Sequence, residues 1–205
     1  MNSQRIFSLA VVAATLLIGT TAFAQDGKMK EKNKMATTDK SMQEKTVMVG
    51  GAEMYSSKNI VENASKSKAH TTLVAAVKAA GLVETLSGPG PFTVFAPTNQ
   101  AFDSLPDGTV ETLLKPENKA TLTGILTYHV IAGKVTASDV LVLIEMNNGR
   151  AAITTVAGGT LTFYTEDEDV YIEDENGNNA IVTIADVNQS NGVIHVIDAV
   201  LLPKK

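Results

Sequence analysis

The chain predicts an α+β fold in which helices pack on an antiparallel, β-sandwich-like sheet. Three observations carry this expectation. Between residues 59 and 146 the apolar residues recur mostly at helical spacing, as in Leu73, Val74, Val77 and Ala80. From Ala151 onward they alternate with polar ones, the period of a strand with one face covered. Helices grouped first and strands last is the order of a segregated α+β domain, not of alternating βαβ units.

The chain is organised around Gly90–Pro106, GPFTVFAPTNQAFDSLP. Phe92–Phe95 reads as a short strand of aromatic and β-branched residues, apolar enough to be covered on both faces. Pro97 cannot donate a ladder hydrogen bond and stops it. Thr98 is a good helix cap, and Ala101, Phe102 and Leu105 share one side of the helical run that follows, Asn99–Leu105. A strand that stops at proline and hands over to a capped helix is a rigid corner between two layers.

The other elements follow in order. Val47–Gly51 is an apolar lead-in broken by glycine. Asn59–Ala64 reads as a short helix, and a clearer one starts at a Thr71 or Thr72 cap and runs to Gly81. His70, just before it, reads as a surface or capping residue. Beyond the corner, Val110–Leu114 and Asn118–Leu126 are helical, the latter opened by Pro116. Thr127–Ile131 turns to strand character, and Val140–Met146 is a last helix with Ser138 or Asp139 as its cap. Ala151–Thr155 and Thr160–Thr165 flank Gly158-Gly159, and Val170–Glu173 and Ala180–Ile184 flank a turn holding Asn176-Gly177, both hairpin signals. Val193–Ile197 is the final strand, with His195 at the edge of the core.

The ends and the charge set the address. Residues 1–24 read as a secretory signal peptide, with Arg5, the apolar run Ile6–Ile18 and an Ala22-Phe23-Ala24 cleavage site. Residues 25–46 read as a disordered linker, whose lysines at 28, 30, 32, 34, 40 and 45 outnumber its acids. Residues 47–205 then form a single domain. The expected location is secreted, periplasmic or at the cell surface, with no transmembrane segment in the mature chain. No cysteine occurs, so no disulfide framework is available. The formal net charge of −5, with the basic residues concentrated in the linker, argues against nucleic acid as a partner.

Catalysis has little support. The chain holds three histidines, and no nucleophile elbow, phosphate-binding loop or dinucleotide fingerprint. No cofactor and no metal are expected. The acidic run Glu166–Asp169 with Glu173–Glu175 invites a calcium reading. Aligned on Gly177, however, an EF-hand loop would place Ile172 and Thr183 at its two essential ends. A solvated hairpin whose charges discourage strand pairing is the better reading. Tyr128-His129, where helix gives way to strand, reads either as a lock between strand and corner or as part of a partner-binding strand.

Three segments in order, FTVFAPTNQAF within Gly90–Pro106, the Tyr128-His129 pair, and NGVIHVIDAVLLP at Asn191–Pro203, resemble the fasciclin-like domain. The helix through Thr72–Ala76 resembles the family's opening helix, so the likeness spans about Asn59 to Pro203. The short signal peptide and single domain resemble the small secreted bacterial members. The resemblance implies a wedge-shaped fold and a non-enzymatic adhesion or interaction module, whose partner is a surface or matrix protein or glycan. It implies partner-binding roles for Tyr128 and His129, and for Asp186-Val187, which stand where animal members carry an Asp-Ile pair. Some members carry carotenoids, which implies an alternative: a soluble carrier of an apolar small molecule in a groove lined by Leu141, Leu143, Ile144 and Met146.

Overall fold

The structure, a computed structural model, describes residues 46–204. The expected signal peptide and, apart from Thr46, the expected linker lie outside the described residues.

The apolar lead-in is a hairpin. Strands β1 (Thr46–Val49) and β2 (Ala52–Tyr55) pair antiparallel through Gly50-Gly51, both at positive φ. Helix α1 (Ile60–Ala64) opens with a full capping box, in which Asn59 and Glu62 each accept the other's backbone N–H. Helix α2 (Thr71–Ala80) ends at Gly81 in the left-handed conformation. Neither Thr71 nor Thr72 caps it. The N-cap position is His70, and the Thr72 N–H donates to Asn99 Oδ1 at 3.1 Å, so the cap comes from the next corner of the chain.

After α3 (Val83–Ser87) comes the corner. Strand β3 (Phe92–Pro97) leads to Thr98, whose Oγ1 accepts the Ala101 N–H, and to α4 (Asn99–Asp103). Helices α5 (Thr109–Leu113) and α6 (Lys119–Tyr128), strand β4 (Val130–Ala132) and helix α7 (Ala137–Met146) follow. The cap of α7 is Thr136, with Asp139 completing a capping box. The rest is strand: β5 (Arg150–Thr154), β6 (Thr160–Glu166), β7 (Asp169–Glu173), β8 (Asn179–Gln189) and β9 (Gly192–Ile197).

The main sheet has the order β4-β3-β9-β8-β7-β6-β5. The α+β class holds, with two departures from the expected sheet. It is mixed, because β3 and β9 run parallel, Val94 opposite Ile194 and Ala96 opposite Val196. A long stretch of chain, residues 98–191, separates these two strands, so no tight turn forces them antiparallel. The sheet also curls nearly into a barrel. The Val156 N–H donates to the Val130 carbonyl at 2.7 Å, joining the segment beyond β5 to the opposite edge.

The central pair β3–β9 is buried on both faces. Val94, Ala96, Ile194 and Val196 face a core shared with the helices. Phe95 and Ile197 face a second core inside the curled sheet, with Leu161, Phe163 and Ile172. Gly192 is required by the close approach of the two strands, since a Cβ there would stand 2.0 Å from the Phe92 carbonyl oxygen. The preceding Asn191 stitches three elements together. Its Oδ1 accepts the Ile60 N–H, and its Nδ2 donates to the carbonyls of Leu86 and Gly88.

Candidate functional site

Tyr128 and His129 are not on a strand. The periodicity of Leu122, Ile125 and Leu126 continues one more turn, so Tyr128 ends α6, His129 caps it, and β4 starts at Val130. Both side chains are buried and held at both ends. The Tyr128 hydroxyl donates to the Thr160 carbonyl at 2.8 Å and accepts the Glu175 N–H at 3.2 Å. Burial raises its pKa to about 12. The Leu201 N–H donates to His129 Nε2 at 3.1 Å, so the ring proton sits on Nδ1, which donates to the Ile125 carbonyl at 2.8 Å. Burial pulls the pKa of this imidazole down to about 4, and it is neutral. The pair ties the end of α6 to the β5–β6 and β7–β8 turns and to the C-terminal segment. Neither side chain presents a polar atom outward.

Asp186 and Val187 sit in an irregular stretch of β8, where the register to β9 slips between Ile184 and Val187. Asp186 is in the left-handed region at φ 55, and its Oδ1 accepts the N–H of Ala137, the first residue of α7, at 2.9 Å. It caps the helix from outside and stays half-buried. Val187 belongs to the helical core.

The four residues expected to line a groove on α7 do not converge. Ile144 is buried in the barrel core and Leu143 packs against it. Leu141 and Met146 are 42% and 76% exposed, and Val142, between them on the solvent side, is 52% exposed. Leu141 stands one turn before Ile144 and Leu143 one turn before Met146, so the two exposed residues flank the buried strip on either side and spacing alone does not part them from it.

An apolar pocket does exist, in a different place. It lies between α1, α2, α3 and α6 over the β3–β9 pair, with a free volume of about 40 Å³. Ala96 and Ile194 line it from the sheet, and Val61, Val74 and Val83, all half-buried, from the helices. A smaller cavity of about 10 Å³ shares Ala64, Ala96 and Ile194 with it and is also lined by His70.

His70 is not a surface residue. It is buried, its Nδ1 is 2.9 Å from Ser67 Oγ, and its Nε2 approaches the Ala96 carbonyl without making a hydrogen bond of normal geometry. Burial lowers its pKa. His195 is buried as expected at the core, with Nε2 2.9 Å from the Val135 carbonyl and its ring stacked on Phe95 at 5.6 Å.

The acidic hairpin is not solvated throughout. Asp174 is buried and its carboxylate accepts four hydrogen bonds, from the N–H groups of Asn176, Asn178 and Leu202 and from Asn178 Nδ2. It is the knot between the β7–β8 turn and the C-terminal segment. The spacing Asp174-x-Asn176-Gly177, an Asx-turn signature, was the signal. Among the described residues no three His, Asp or Glu side chains stand together as a metal site.

The three blocks that carried the resemblance now share one structure. β3 pairs with β9, and the Tyr-His pair locks α6 to the segment that follows β9. A fasciclin domain model matches residues 68–203. The chain belongs to the fasciclin domain family. It is 50% identical to the protein sll1483 of Synechocystis over 94% of this chain and 96% of that one. It is 35% identical to the immunogenic protein MPB70 of Mycobacterium bovis, over 68% of this chain and 66% of the relative. The fold resembles that of a FAS1 domain pair from the insect cell adhesion molecule fasciclin I, with a TM-score of 0.62 and 20% identity. That match covers 71% of this chain and 51% of the domain pair. Fasciclin domains are generally non-enzymatic adhesion modules. Among the described residues no helix is long and apolar enough to cross a membrane.

Proposed function

We propose that this fasciclin domain is a secreted, non-enzymatic adhesion module that docks a surface or matrix protein through the outer side of α7. The observation that carries this reading is the exposure of Leu141, Val142 and Met146 across the solvent side of α7. Exposed large apolar side chains grouped together are uncommon on a free surface and fit a protein partner better than a glycan. Asp186 holds the N-terminus of the same helix through the Ala137 N–H. A relative at 39% identity over 60% of this chain, MPB83 of Mycobacterium bovis, is a cell surface glycolipoprotein. The signal peptide over residues 1–24 and the spacer after it agree with a domain held outside the cytoplasm. The test is adhesion of beads coated with the full mature chain to the host's own envelope. Leu141→Asp with Met146→Asp should abolish adhesion without lowering the melting temperature. Adhesion unchanged in that variant would remove α7 from the reading.

The pocket between α1, α2, α3 and α6 favours a second reading, a carrier of an apolar small molecule. Its lining is aliphatic and its location differs from the groove expected on α7. A visible spectrum of the protein purified from a pigmented host tests the carotenoid form of it.

A further inference from the structure

The chain has no cysteine, so its thioethers face a mild oxidant with no thiol to compete. Three methionines lie among the described residues, and their surroundings differ. Met54 is buried in the helical core at 3% exposure, Met48 on β1 is 59% exposed, and Met146 at the end of α7 is 76% exposed. Met146 stands one turn beyond Val142, so its thioether extends the apolar surface that the adhesion reading assigns to a partner. Methionine suits such a surface, because it is flexible and apolar. Its sulfoxide does not. The added oxygen is a polar acceptor that must lose water when a partner covers it. Helix α7 carries one neutral side-chain donor, the Ser138 hydroxyl at its opposite end. The Asn147 amide just beyond Met146 is turned back onto the Leu143 carbonyl at 2.7 Å.

We propose that Met146 is an oxidation site that controls adhesion: a hydroperoxide converts its thioether to the sulfoxide, and the polar product releases the partner while the fold stays intact. The sulfur lone pair attacks one peroxide oxygen. The S–O bond forms as the O–O bond breaks, and the departing hydroxide takes the proton left on the transferred oxygen and leaves as water. Sulfur loses two electrons and the peroxide gains them. This rests on the adhesion reading and adds the regulation of its surface.

The test exposes the full mature chain to graded hydrogen peroxide, quenches with catalase, and follows three readouts: bead adhesion to the host's envelope, melting temperature, and the oxygen gained at each methionine by peptide mass spectrometry. Met146 should convert well before Met54. Wild-type adhesion should fall about fivefold or more, the cost of covering one unpaired polar group, at an unchanged melting temperature. Adhesion of Met48→Leu should fall as the wild type's does, whereas peroxide should not change the adhesion of Met146→Leu. Methionine sulfoxide reductases should restore the treated wild type, a readout that needs no variant. Sulfoxide at Met146 with adhesion undiminished would overturn the switch; where Leu141→Asp with Met146→Asp still abolishes adhesion, the adhesion reading would stand without it. A loss as large in Met146→Leu would overturn the assignment to this residue. Met54 converting as fast as Met146 would mean that the fold opens first, and would overturn the surface route. Adhesion indifferent both to peroxide and to the double substitution would remove the switch and the reading together.

Discussion

On the barrel side of β3 and β9, the side chains of Phe95, Tyr128, Leu161, Phe163, Ile172 and Ile197 are no more than 1% exposed. On the helical side, Leu73, Val77, Leu86, Val94 and Phe102 keep 7–8%. The barrel core encloses aromatic pairs, such as Phe95 and Phe163 with ring centroids 5.4 Å apart, and its one tyrosine is hydrogen-bonded. The helical core holds the apolar pocket and the unpartnered nitrogen of His70. Both cores hold a cavity, and the larger lies on the helical side, about 40 Å³ against about 20 Å³ beside Phe95 and Phe163. A sheet curled on itself fixes its own spacing, whereas short helices laid on a sheet meet it through side chains alone. The two cores thus differ in degree of packing.

The largest expected effects test that difference directly. Phe95→Ala should cost about 3–5 kcal/mol, because it removes a whole aromatic ring that is 1% exposed, packed against Phe163 and stacked on His195. Leu86→Ala, on the pocket wall, should fall near the low end for its type, about 2 kcal/mol, since part of its contact surface already faces free volume. Urea unfolding of both variants measures the gap. Equal losses would mean that the helical core is as tight as the barrel.

Next is the effect of acid. All three histidines are buried with lowered pKa values, and burial is the main cause for each. A base that is harder to protonate in the folded state stabilises the protein fully above its unfolded pKa of about 6.5, and that contribution is lost as pH falls toward the folded value. For His129, with a folded value of about 4, the loss is about 3 kcal/mol between pH 6.5 and 4, and it levels off below. Unfolding free energies across this range should fall steeply in the wild type and less steeply in His129→Gln. Parallel slopes would show that the imidazole is not held neutral.

A smaller loss is expected at the knot. Asp174→Ala strips the acceptor from three backbone N–H groups that the turn and the C-terminal segment hold partly out of water, for about 2–3 kcal/mol. Asp174→Asn keeps one acceptor oxygen and should recover part of it.

Much of this was legible in the residues. Period and punctuation placed most of the helices and strands, because Gly81, Pro97, Thr98 and Asn176-Gly177 act locally. The hidden parts depend on distant partners. The cap of α2 is Asn99, and α7 is capped from outside by Asp186 on a strand far along the chain. The lock reading of Tyr128-His129 agrees with their burial, but their place on a strand does not hold, since α6 could be seen to run on to Tyr128 only once its end was packed. The pocket was invisible because its walls come from four helices and three strands, and each wall residue alone looks like ordinary core.

The smallest effect separates two roles for one residue. Asp186 caps α7 from a left-handed position, and in the adhesion reading the helix it caps carries the docking face. Asp186→Asn keeps a side chain that tolerates positive φ and keeps an oxygen for the Ala137 N–H, while it removes the charge. Stability should change by about 0.5 kcal/mol or less, from the weaker interaction of a neutral cap with the helix N-terminus. If the residue acts on the partner only by setting the angle of α7, adhesion should survive with the cap. A loss of adhesion at unchanged melting temperature would make the carboxylate itself a contact. Asp186→Ala would then be uninformative, because it removes cap and charge together.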